Sequence, residues 1–141
     1  MYAASKTTKN FSELEKAGDS LKSTRPTAVN LSWAVDKIIT EIKDMEKSNL
    51  QEIILSIANE IRDQDIINCK AIGENGSRLI ENIYKKTQKK VNVLTHCNAG
   101  WLATVDWGTA LAPIFIANQK KIPIHVWIDE TRPRNLSLIH I

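Results

Sequence analysis

Val91-Asn92-Val93-Leu94-Thr95-His96-Cys97-Asn98-Ala99-Gly100 is where the chain changes period. Its first five residues are apolar and rich in β-branched side chains, the composition of a buried strand. Ile122 to Ile128 repeats that composition, and a helical pattern from about Thr104 to Gln119 separates the two. Strand, helix, strand in so short a span is a βαβ unit, so the two strands should be parallel and joined right-handedly. Open parallel sheets bind ligands beyond the carboxyl ends of their strands. Those ends are Thr95 to Gly100 and Asp129-Glu130-Thr131-Arg132.

Upstream of this unit the period is helical. Ser12 and Glu15 have the form of a capping box, and Leu14, Ala17 and Leu21 then share a face to about Lys22. Pro26 suits the first turn of a second helix, in which Leu31, Val35, Ile38, Ile42 and Met45 line one side. Asn49 and Glu52 offer a third cap before Ile53, Ile54, Ile57, Ala58 and Ile61, and the pattern resumes through Ile66, Ile67, Ala71, Leu79, Ile80 and Ile83. Gly73 and Gly76 speak against one unbroken helix there. The fold class expected is α/β. Helical patterns fill residues 1–88, and the beginning of a parallel sheet follows over 89–135, stopping after about two strands. The apolar tail 136–141 has no recognisable role and reads as non-native.

Composition narrows the function. Of 141 residues, 43% are hydrophobic and 25% charged, with 19 Lys+Arg against 16 Asp+Glu for a net charge of +3, which is ordinary globular usage and excludes a disordered chain. The first thirty residues hold no signal-peptide core and no apolar run reaches membrane length, so a cytoplasmic protein with no membrane partner is expected. The densest basic run, Lys85-Lys86-Thr87-Gln88-Lys89-Lys90, contains no aromatic residue and reads as a solvated connection, so no nucleic-acid partner is expected. Cys69 and Cys97 form no CxxC pair and no zinc-spaced cluster.

Five places come into question for chemistry. Cys97 follows a strand in a polar loop that leads toward a helical pattern, where backbone N–H groups would stabilise a thiolate and His96 could assist; a buried, inert cysteine is the competing reading. Cys69 lies in a helical pattern and reads as inert. Arg25 stands at a helix entrance suited to phosphate, or is a surface arginine. Asp129, Glu130 and Arg132 offer two carboxylates and a guanidinium at the second strand end, as ligands or as an internal ion pair. Among the tryptophans, Trp101 adjoins the loop and is the candidate to face a ligand, whereas Trp33, Trp107 and Trp127 read as packing residues.

Thr24-Arg25-Pro26-Thr27-Ala28-Val29-Asn30-Leu31, Ala71-Ile72-Gly73-Glu74-Asn75-Gly76, Leu94 to Gly100, Ala103-Thr104 to Leu111, and Asp129 to Pro133 together resemble the methylthioribose-1-phosphate isomerases. Thr95-His96-Cys97-Asn98-Ala99-Gly100 is the most specific of these elements. The wider superfamily includes archaeal ribose-1,5-bisphosphate isomerases and the regulatory subunits of the nucleotide exchange factor of translation initiation. The resemblance implies a helical domain followed by a Rossmann-like domain, a homodimer, a phosphorylated sugar substrate, and no metal or nucleotide cofactor. It implies an intramolecular oxidoreductase reaction, the aldose–ketose isomerisation of 5-methylthioribose 1-phosphate to 5-methylthioribulose 1-phosphate in methionine salvage. Cys97 matches the family's catalytic cysteine and Arg25 a substrate-binding arginine, with His96, Asn98, Gly100, Glu130 and Arg132 as supporting candidates around them.

The chain departs from the family in length. The resemblance places an Arg-Gly-Ala-Pro segment before Met1 and a catalytic aspartate with an Asn-Lys pair downstream, and the family's Gln-Gly pair is replaced by Leu136 and Ser137. The expectation is an internal fragment of an isomerase, inactive by itself, with an incomplete sheet and poor solubility. Two alternatives stand beside it: a non-catalytic regulatory subunit related to the initiation exchange factor, and a ribose-1,5-bisphosphate isomerase. A retained loop thiol favours an enzyme, because a purely regulatory protein has no chemical need of one.

Overall fold

A computed structural model describes residues 1–8, 10–27, 29–45 and 49–129. They are mostly helical and end in a two-stranded parallel sheet, as the expected α/β class requires. Two compact units divide at Arg62 and Asp63.

The first unit holds α1 (Tyr2–Ser5), α2 (Phe11–Thr24), α3 (Val29–Ile42) and the first turns of α4 (Leu50–Thr87). The start of α2 corrects the expected Ser12–Glu15 box. Asn10 is the N-cap instead: its side chain accepts from Ser12 N at 3.0 Å, and its carbonyl takes Glu13 N and Leu14 N, both at 3.1 Å. Leu14, Ile38, Ile42, Leu50, Ile54 and Ile57 bury one another at this unit's centre. All but Leu50 belong to the apolar faces that the periodicity marks, whereas Leu21 and Met45, expected on those faces, are exposed. Each buried side chain contributes about 1.5–3 kcal/mol, so packing rather than pairing of surface charges holds these helices together. Lys22 nonetheless bridges two of them, reaching Asp36 at 2.8 Å and Asp19 at 3.2 Å. The hydrogen bond to Asp36, then that to Asp19, raises its pKa above the ordinary lysine value. Trp33 is half exposed, contrary to its expected packing role.

In the second unit α4 continues unbroken to Thr87, 38 residues in all, despite Gly73 and Gly76. The reason is close packing. A Cβ on Gly73 would lie 2.7 Å from Ile116 Cδ1 and 3.0 Å from Ala112 Cβ, and one on Gly76 would run into Pro113. The glycines let α5 (Ala112–Gln119) seat directly on α4, which outweighs their roughly 1 kcal/mol helix penalty each. The face of α4 turned to α5 therefore carries Gly73, Gly76, Ser77 and Ile80, while Ile67, Leu79 and Ile83 are exposed. The apolar stripe expected here is rotated, because small residues make the contact and carry no hydrophobic signal. Buried Ser77 donates to the Glu74 carbonyl at 3.0 Å and accepts from Lys120 Nζ at 3.2 Å.

The helix expected over 104–119 shrinks to α5, with Pro113 in its first turn. Ile114 and Ala117 of α5 meet the inward residues of β1 (Val91–His96) and β2 (Ile124–Asp129), among them Val91, Val93, Ile124 and Val126. The strands pair in parallel from Val91 opposite Ile124 to His96 opposite Asp129. Leu94 and Trp127 sit on the other face at 66% and 57% exposure, so Trp127 is no core residue. Its indole donates to Asn92 Oδ1 at 3.2 Å and packs edge-on against His125. No helix among the described residues is long and apolar enough to cross a membrane.

Candidate functional site

The parallel register brings the carboxyl ends of β1 and β2 side by side, with His96 next to Asp129. Immediately beyond, Cys97 turns into the left-handed region at φ +68°. That reversal lifts the chain out of the sheet and leaves His96, Cys97 and Asn98 exposed, while Gly100 is buried. The Cys97 thiol is free and faces solvent, so the buried-cysteine reading does not apply to it.

One part of the expectation fails. No α-helix follows the loop directly: a single 3-10 turn, Trp101–Ala103, comes next, and α5 begins only at Ala112. Stabilisation of a Cys97 thiolate by the start of the following helix is therefore not what the backbone provides. Trp101 is exposed and stacks on Phe115, ring centroids 5.0 Å apart.

What shapes the loop comes from residues 104–111. Thr109 N and Leu111 N donate to the Ala99 carbonyl at 2.9 and 3.4 Å. Gly108, at φ +74°, approaches so closely that a Cβ there would stand 2.6 Å from Ala99 O. Sequence reasoning missed this role for Gly108, although glycine just after Asp106-Trp107 is a turn signal. Beneath the loop, the Thr95 side chain is buried and its Oγ1 has no hydrogen-bond partner among the described residues. Such a group costs about 1–3 kcal/mol, and functional sites are where folds tolerate it.

Cys69 is buried, in line with the inert reading. Burial pushes its pKa above the ordinary value, Asp65 and Asp106 add to the rise, and a hydrogen bond with the Thr104 side chain opposes it.

Arg25 belongs to the first unit and stands at the end of a helix rather than at an entrance. It caps the C-terminus of α2 at φ −145°, ψ 76°, its N–H donating to Lys22 O at 3.3 Å, and α3 starts four residues later. Its side chain is exposed. Thr24, Arg25 and Pro26 thus form a break between helices, with no helix N-terminus at Arg25 itself. Glu130 and Arg132 lie outside the described residues, as do residues 136–141.

A family model described as the initiation factor 2 subunit family matches residues 2–137. The chain belongs to that family. Within it, curated relatives include the methylthioribose-1-phosphate isomerase of Methylorubrum extorquens, 50% identical over 122 residues, and that of Escherichia coli O45:K1, 51% identical over 124. Each alignment covers 86% of this chain and 33% of the relative, so the chain spans about a third of the length of the curated relatives it matches. Two solved structures of the family share its fold. One is 5-methylthioribose 1-phosphate isomerase from Pyrococcus horikoshii, with a TM-score of 0.66 at 35% identity over 84% of this chain and 32% of that one. The other is the delta subunit of translation initiation factor eIF-2B from A. fulgidus, with a TM-score of 0.62 at 36% identity over 82% and 32%.

Proposed function

We propose that this chain is part of a methylthioribose-1-phosphate isomerase, in which Cys97 is the catalytic thiol and Arg25 binds the phosphate of the sugar. The observation that carries the reading is the exposed Cys97, held in a left-handed backbone at the carboxyl end of a parallel strand. Strand ends of this kind are where parallel sheets bind ligands, and a residue held in a sparsely populated conformation outside helix termination points to a site. The relatives named as isomerases, at about half identity, supply the reaction class.

In the proposed reaction the C1–O4 ring bond breaks, the hydrogen on C2 ends on C1, and the C2 hydroxyl becomes the carbonyl as a proton passes from it to the ring oxygen. No external oxidant or reductant is consumed. A thiol standing clear of the sheet can approach the reacting carbons and hold or pass a proton there. Arg25, with a permanently charged guanidinium on an exposed side chain, suits the phosphate. His96, Asn98 and Gly100 would support Cys97, while Glu130 and Arg132 are proposed at the neighbouring strand end. Activity, a Rossmann-like sheet, the domain division near residue 88 and homodimeric assembly are proposed for a protein of the relatives' full length.

The test is turnover of 5-methylthioribose 1-phosphate by the full-length protein. Replacing Cys97 by Ser should lower kcat by at least about tenfold with the fold intact, since one positioned proton-transfer group is worth about 10²–10⁴. An unchanged kcat removes the catalytic role. Turnover of ribose 1,5-bisphosphate in preference would move the assignment to the bisphosphate isomerases, and no turnover of either sugar to the regulatory subunits.

A further inference from the structure

The mechanism leaves one cluster unused, the contacts between the middle of α4 and the irregular segment 104–108. Asp65 Oδ2 accepts a hydrogen bond from Val105 N at 2.9 Å, across forty residues of sequence. One turn further along α4, Cys69 is buried. Thr104 Oγ1 donates to Asp106 O at 3.2 Å and accepts from Gly108 N at 3.1 Å, and Asp106 Oδ1 accepts from Trp107 N at 2.8 Å. These bonds close a tight turn whose last two residues, Trp107 and Gly108, are both left-handed at φ +69° and +74°. The turn points the chain back at Ala99, where Gly108 makes its close approach and Thr109 N donates to Ala99 O. Ala99 is two residues from Cys97.

We propose that Asp65 is a positioning residue for Cys97: its carboxylate anchors the 104–108 turn to α4, and that turn clamps the Cys97 loop through Ala99. The contacts form one continuous series from a rigid helix to the thiol, and the long-range bond from Val105 N to Asp65 starts it. β1 cannot do this work, because it ends at His96 and the chain reverses at the next residue. The consequence for turnover rests on the catalytic reading of Cys97, whereas the mechanical link does not.

The full-length protein serves for the test, with two readouts that need no substrate: amide hydrogen exchange at Thr109, and the rate at which iodoacetamide alkylates Cys97, followed by peptide mass. Asp65→Ala should speed Thr109 exchange by at least about threefold, the worth of one modest hydrogen bond, and should change the Cys97 rate by a similar factor. Amides of β1 and β2 should keep their protection, and Cys69 should stay unmodified. Asp65→Asn retains an acceptor oxygen and should remain within about twofold of the unaltered chain. Val105→Pro deletes the same bond from the other side. Thr104 already has the extended backbone a residue before proline adopts, φ −139° and ψ 179°. This variant should reproduce Asp65→Ala, and combining the two should add nothing. If Asp65→Ala does not fold, Val105→Pro decides.

Unchanged exchange and alkylation in Val105→Pro would overturn the proposal. So would additive effects, an Asp65→Asn variant as loose as Asp65→Ala, or loss of protection spreading through β1 and β2. A Cys97→Ser enzyme that kept its turnover would instead remove the catalytic reading and leave the anchor standing.

Discussion

Gln88, Cys97, Trp107 and Lys121 have positive φ without being glycine, and they divide by purpose. Gln88 and Lys121 follow the ends of α4 and α5, the ordinary place for a left-handed residue. Cys97 and Trp107 terminate no α-helix, and each flanks the Ala99 clamp. Gly108 bears the tightest contact in that clamp, so Gly108→Ala combines an unfavourable φ with a collision against Ala99 O. It should cost about 1–3 kcal/mol, read as a lowered Tm; a loss under about 0.5 kcal/mol would mean the loop gives way freely. Arg25 poses a different question, since it is exposed and caps α2 only through its backbone. Arg25→Ala should leave stability nearly unchanged and raise KM for the phosphorylated sugar in the full-length protein. An unaltered KM would return Arg25 to the surface.

At the scale of elements, hydrophobic period predicts well wherever large side chains make the contact. Leu14, Val35, Ile38, Ile42, Ile54 and Ile57 all carry the helical spacing and all are buried. It fails along the second half of α4, where Gly73, Gly76 and Ser77 face α5 and Ile67, Leu79 and Ile83 face outward. Helix ends are less legible than faces. Asn10 takes the cap expected of Ser12, and the eight residues before α5 stay irregular because they serve the Cys97 loop. The ion pair between α2 and α3 is sensitive to pH. A lysine whose folded pKa is raised contributes stability that is fully present below about pH 10.4 and is lost as pH rises through the folded value. The Tm difference between the unaltered chain and Lys22→Met should therefore be steady from neutral pH to about 10 and close above it. A difference that grew with alkali would contradict the pairing with Asp36 and Asp19.

For the molecule as a whole, the notable surface is the outer face of the sheet. Parallel sheets are ordinarily covered on both faces, yet among the described residues Leu94 and Trp127 are exposed there. Such a face promotes association. Leu94→Lys should raise the concentration at which the 141-residue chain stays monomeric and reduce binding of a hydrophobic dye, at little cost in Tm. Light scattering and dye fluorescence unchanged by the substitution would show that association runs through another surface.

Local spacing and residue chemistry sufficed for the α/β class, the parallel pair, the helical faces of the first unit and the candidacy of Cys97, because period and strand composition are properties of neighbouring residues. The resemblance of a few motifs sufficed for the family. Only the folded chain could show that Cys97 is exposed in a left-handed turn, that two glycines in α4 are a seat for α5, that Arg25 ends a helix, and that Asp65 reaches Val105. Each of these depends on groups far apart in sequence meeting in space, or on backbone angles that residue identity alone leaves open.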